Sequence, residues 1–159
     1  MIVVEGLEEA ENLLLGASIL ATGGGGSLRF GLEILRGVLE SGKRIRVLDL
    51  REFSESEGGV LVSPYFIGSM GSLGERREEK IRDMLLKALN VMERELGRKV
   101  VGFVSSELGG SNTAVPLYAS ALADLPVVDG DLMGRAGPEL HQSTAHILGL
   151  KVTPSVVVS

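Results

Sequence analysis

The sequence predicts an α/β fold, a three-layer α/β/α domain with a mainly parallel sheet, from three observations. Short apolar stretches alternate along the chain with stretches of helical period, the pattern that packs helices against a sheet. The run from Val100 to Val104 has almost no polar relief, as a strand covered on both faces requires. The 159 residues are 44% hydrophobic and 23% charged, which supplies one aliphatic core and argues against disorder. No repeat, linker or low-complexity segment divides the chain, so residues 1–159 are expected to form a single domain.

The first helix is read from Glu8 to Leu20, where leucine, alanine and isoleucine recur at helical spacing before Thr22 and four glycines stop it. A second runs from Ser27 to Leu39, with Leu28, Leu32, Leu35 and Leu39 on one face and Ser41-Gly42 beyond. Arg44 to Leu50 sets Ile45 and Val47 against charges at period two, a half-buried strand, and Gly59 to Ser63 reads as the next. Ser72 and Glu75 have capping-box spacing at the head of a long helix. Its stripe is Ile81, Met84, Leu85, Ala88 and Met92, and its wet face pairs Glu78 with Arg82 and Asp83 with Lys87. After the strand at Val100, a short helix is expected from about Thr113, with Pro116 in its first turn. Leu125 to Val128 reads as a short buried strand, Pro138 and Gly149 bracket a last helix, and KVTPSVVVS reads as a final strand.

Composition excludes several function classes. A net charge of −5 with no dense basic run leaves no footprint for nucleic acid. No uncharged run reaches the roughly 20 apolar residues of a membrane span. The absence of cysteine removes disulfides, thiolate nucleophiles and cysteine-bound zinc. Glu5, Glu8, Glu9 and Glu11 precede the first basic residue, Arg29, so a cytoplasmic location is expected. His141 and His146, five apart, would lie on different faces of one helix and are read as non-ligands.

Parallel sheets place ligand sites beyond the carboxyl ends of their strands, and three glycine-rich loops fall there: SPYFIGSMGSLGE, SSELGGSNT and DGDLMGRAGPE. Gly109, Gly110 and Asn112 read equally as a tight turn with a helix cap or as amides offered to an anion or ring carbonyl. Glu107 is either a solvated loop residue or a site carboxylate. Asp129 and Asp131 are either turn formers or a carboxylate pair aimed one way from an extended segment, able to serve as a base or to hold Mg²⁺ or Ca²⁺. Without a third fixed ligand, the expectation is a metal-free protein with no cofactor. Arg135 is either a partner for these acids or a fork for a substrate carboxylate. TGGGGS lacks the Lys-Ser/Thr ending of a phosphate loop and follows a helix rather than a strand.

The stretches LGASILATGGGGS, SELGGSNTAVPLYAS and LPVVDGDLMGRAGPEL, in this order, resemble the N-terminal domain of the S-methyl-thiohydantoin desulfurase domain family. The likeness spans most of the chain. It implies an α/β domain linked to hydantoin metabolism, and a hydrolase-like site at Gly23, Gly24, Gly25, Gly26, Glu107, Gly109, Gly110, Asn112, Asp129, Asp131, Arg135 and Glu139. The chain departs from the pattern at Gly137, where relatives carry phenylalanine, and at MGSLGERREEK, where they carry Gly-x-Pro. Longer members have a second, β-rich domain. The expected function is a small-molecule enzyme domain acting on a cyclic amide or S-methyl-thiohydantoin-like ring, hydrolytic or desulfurising. Asp129, Asp131 or Glu107 would be catalytic, the Gly109 to Asn112 amides would hold an oxyanion, and Arg135 would bind substrate. The alternative is a non-catalytic ligand-binding or partner subunit of a hydantoinase- or oxoprolinase-type system. Self-association or a separate partner is expected through the valines of KVTPSVVVS, which no later element covers.

Overall fold

The computed structural model describes residues 1–53, 59–67 and 77–159. In chain order it contains β1 (Ile2–Val4), α1 (Leu7–Leu20), α2 (Leu28–Glu40), β2 (Ile45–Leu48), β3 (Val60–Val62), α3 (Arg77–Leu96), β4 (Val100–Ser105), α4 (Gly110–Ala123), β5 (Val127–Asp131), a 3₁₀ turn (Leu140–Gln142) and α5 (Thr144–Ile147). The strands form one five-stranded sheet in the order β1-β2-β5-β4-β3, flanked by helices. Neighbours run parallel except β1, which pairs antiparallel with β2 through Val4 opposite Ile45. The α/β class and the mostly parallel sheet agree with the sequence reading.

Each helix shows why its residues chose it. Ser27, read as the first residue of α2, is its cap: its Oγ accepts the Phe30 N–H at 3.1 Å. Phe30, Ile34, Leu35, Val38 and Leu39 then form one buried stripe. Helix α4 is buried on every side from Gly110 to Ala121, because it packs on the sheet and on both α1 and α2. It begins three residues earlier than expected, at Gly110, so Pro116 lies in its second turn. There the proline removes the amide that would have bonded to the Asn112 carbonyl. On α3 only one face is used, with Ile81 and Leu85 buried, and Arg82 pairs with its neighbour Asp83 at 3.2 Å. The Ser72–Glu75 capping box lies outside the described residues.

Three expectations are corrected. Strand β1 was not read from the sequence, since three apolar residues at a chain end give too short a pattern. The last helix is broken into a 3₁₀ turn and one turn of α5, because the Ser143 hydroxyl accepts the His146 N–H at 3.2 Å and starts a new helix there. KVTPSVVVS forms no strand. The segment joins neither edge strand, β1 or β3, and Pro154 has no N–H to give a ladder. The alternation nevertheless persists: Val152, Val156 and Val158 are half-buried, while Val157 is exposed.

The core is centred on Phe103, Leu14, Leu35, Ile45, Ile81, Leu117 and Tyr118. Burial, followed by the negative charges of Glu78 and Asp83 and opposed by Arg82, raises the Tyr118 phenol from 10.0 to about 12. A folded-state value above the unfolded one means that the unfolded chain loses its proton first as pH rises. The tyrosine's contribution is therefore intact below about pH 10 and lost between there and pH 12. We expect wild type to lose about 2 kcal/mol of stability across that window, and Tyr118→Phe to lose measurably less. Urea titrations at stepped pH check this, and identical alkaline losses in the two proteins would remove Tyr118 from the account.

Candidate functional site

The site is assembled where β3, β4 and β5 end and the glycine loop between α1 and α2 meets them. Gly25 has φ +68, and a side chain there would collide with the Leu108 carbonyl; one on Gly109 would meet the Gly25 backbone. The two backbones therefore touch, which only paired glycines permit. From this position the Gly25 carbonyl accepts the Asn112 N–H at 3.0 Å and the Ser111 hydroxyl at 3.5 Å. Gly24 abuts Ala136, so the same loop also reaches the segment after β5.

This contact changes what the start of α4 can do. The Asn112 N–H is taken by Gly25, and the Gly109 N–H donates to the Thr113 hydroxyl at 3.1 Å. Two of the amides that the sequence offered to an anion are thus spent inside the protein. The TGGGGS segment is a plug that caps α4 from another part of the chain.

Beside the plug lies a chain of polar contacts. Glu107, two residues past β4, uses both carboxylate oxygens: Oε1 accepts from the Asn112 side-chain amide, and Oε2 accepts from the Gly137 N–H. Asn112 also holds one residue of the segment after β3, Phe66. Its Oδ1 accepts the Phe66 N–H at 3.1 Å, and its Nδ2 donates to the Phe66 carbonyl at 3.3 Å. A residue whose N–H and C=O both face one partner is extended, so Tyr65 and Ile67 lie opposite Phe66. Phe66 turns inward onto Phe30, with ring centroids 5.9 Å apart, while Ile67 is 66% exposed. Two backbone bonds complete the frame: Leu108 N–H to the Arg135 carbonyl, 3.2 Å, and Leu132 N–H to the Ser106 carbonyl, 3.3 Å.

The other expected site residues are distributed around this frame. Asp129, the middle residue of β5, is exposed, and its side chain has no hydrogen-bond partner among the described residues. Asp131, also in β5, bends its Oδ1 back to the N–H groups of Met133 (2.7 Å) and Gly134, the local turn that aspartate commonly makes. Arg135 is exposed, pairs with neither acid, and donates its Nε to the Ala136 carbonyl at 3.2 Å. The Glu139 carboxylate lies 2.9 Å from the His141 Nδ1 on the surface. The histidine rings, expected on different faces, stand edge to face at 6.3 Å because the helix is broken between them. Among the described residues no group of three or more histidine, aspartate or glutamate side chains is placed to hold a metal ion.

Sequence reasoning missed two parts of the site. Phe66 and Gly137 enter through their backbones, which carry no residue-type signal. Ser63, just past β3, has a buried hydroxyl with no partner among the described residues. A shallow cleft of about 320 Å³ lies elsewhere, lined by Asn90, Glu93, Arg94, Gly97, Arg98 and Lys99 near the opposite end of β4. No described helix is long and apolar enough to cross a membrane.

Comparison with known proteins agrees with the fold. A family model described as "S-Me-THD-like, N-terminal domain" matches residues 8–159. A crystal structure of a protein from Chromobacterium violaceum is similar over 94% of this chain, at 26% identity and a TM-score of 0.73. The match covers 40% of that protein's chain. No curated protein matches.

Proposed function

Since the chain belongs to the S-Me-THD-like N-terminal domain family, we propose that it acts on a small cyclic amide or S-methyl-thiohydantoin-like ring, by hydrolysis or desulfurisation. The observation that carries this reading is Asp129, an exposed carboxylate of β5 without a side-chain partner among the described residues, beside a frame of fastened loops. Asp129 is the group free to take a proton from water as it attacks the ring. Arg135 has guanidinium nitrogens left for a substrate carboxylate or an anionic ring oxygen. Asp131 shapes the turn that presents Arg135. Glu107 serves the frame rather than the substrate. The reading uses no cofactor; a Mg²⁺ or Ca²⁺ at Asp129 would have only the second oxygen of Asp131 to add.

A second reading is a ligand-binding or partner subunit whose catalytic groups lie in another polypeptide. It is supported by the start of α4, where the Asn112 and Gly109 N–H groups are already taken by Gly25 and Thr113.

Asp129→Asn is expected to leave stability within about 0.5 kcal/mol, because the side chain is exposed and unpartnered. It is expected to abolish turnover of S-methyl-thiohydantoins and hydantoins by the purified chain. Ring binding without turnover, seen as amide shift changes near Asp129 and Arg135, would favour the partner-subunit reading. Neither binding nor turnover across a panel of such rings would sink both.

A further inference from the structure

We infer that Glu107 and Asn112 form a latch that makes the segment after β3 and the segment after β5 open and close as one unit. The inference goes beyond the proposed activity and stands apart from it. The physical ground is that both carboxylate oxygens of Glu107 and both amide hydrogens of Asn112 are engaged. Glu107 Oε1 is joined to Asn112, and Oε2 to the Gly137 amide. Asn112 grips both polar groups of the Phe66 peptide and anchors its own N–H on Gly25. Both residues sit in a partly buried setting, where a polar group left without its partner is costly. Releasing Gly137 therefore exposes one carboxylate oxygen, frees Glu107 to turn, and strips Asn112 of the acceptor that fixes its amide. Asn112 then loses its hold on Phe66, and with it the orientation of Tyr65 and Ile67.

The latch makes Glu107 a positioning residue. A glutamine cannot replace it, because one of its two ends would present N–H₂ to a donor, either Asn112 Nδ2 or the Gly137 amide. A ligand that orders the Arg135 to Gly137 segment would in turn order Tyr65 and Ile67, the exposed side chains of the segment after β3. The site then behaves as a jaw whose two sides are set together.

The test is residue-resolved amide hydrogen exchange on the whole chain, with the Phe103 amide as internal reference, since it donates to the Pro126 carbonyl within the sheet at 2.9 Å. In Glu107→Gln, the Gly137 and Phe66 amides are expected to accelerate together, at least about tenfold relative to Phe103. In Asn112→Ala, the Gly137 amide, which Asn112 does not touch, is expected to accelerate relative to Phe103 as well. Acceleration of Gly137 alone in the first variant, or of Phe66 alone in the second, would mean two independent loops and overturn the latch. A uniform rise that includes Phe103 would also overturn it, because the loops would then have no opening of their own.

Discussion

Gly109→Ala is expected to destabilise the domain by about 3 kcal/mol or more, a loss large for a single added methyl group. The backbone at Gly109 is extended, with φ 163, so alanine could adopt it without strain. The cost is one of space. The new carbon would meet the Gly25 carbonyl oxygen and Cα, both backbone atoms that no rotamer change can move aside. To make room, the glycine loop must lift from α4, which breaks the Asn112 N–H bond to Gly25 and opens the contact of Gly24 with Ala136. Gly130→Ala is the control, because nothing lies within 4 Å of its added carbon. Thermal or urea unfolding of the pair should place Gly130→Ala near wild type and Gly109→Ala far below it. Equal midpoints would show that the loop and helix do not touch as described.

Phe103→Ala should cost about 3–5 kcal/mol, the range for emptying a fully enclosed phenylalanine site. Phe103 is 0% exposed in β4 and stands opposite Val127 of β5 in the parallel ladder. Neighbours held by a sheet and by the buried helix α4 cannot collapse into the vacated volume, so most of the cavity term remains. Urea unfolding is expected to show a lower midpoint with an unchanged slope. A loss below about 1 kcal/mol would mean that β4 is not the centre of the core.

The sheet and helices were legible because period and burial coincide. Val100 to Val104 read as a covered strand and is one, and the Leu28 to Leu39 face read as a helix and is one. The tail failed for the opposite reason. In KVTPSVVVS the alternation is present and still visible in burial, yet a strand also needs a ladder partner, which a one-dimensional pattern does not record. At the site, residue types were a partial guide. Glu107, Asn112 and the glycines are brought together as their unusual density suggested, but their roles depend on partners far away in sequence: Phe66, Gly137 and Gly25. An asparagine that caps, binds a ligand or grips another loop looks the same on paper. Asp129 and Asp131 differ in the same way, one without a side-chain partner among the described residues and the other folded into its own turn.

The strand order carries a kinetic consequence. β2 closes against β5, so Val47 meets Val127 and Leu48 meets Val128, although the whole of β3, α3, β4 and α4 intervenes in the chain. Each flanking group can gather from nearer contacts: β1, α1, α2 and β2 on one side, β3 to β5 on the other. The seam between them must wait for a loop closure that spans four elements, and parallel pairing gives no short hairpin to guide it. Helix α2, docking on α4, is the contact that brings the two groups together. Folding speed is therefore set at a helix–helix face and a two-residue strand register, and until that step is complete the apolar edge of β5 is open to any other strand that finds it.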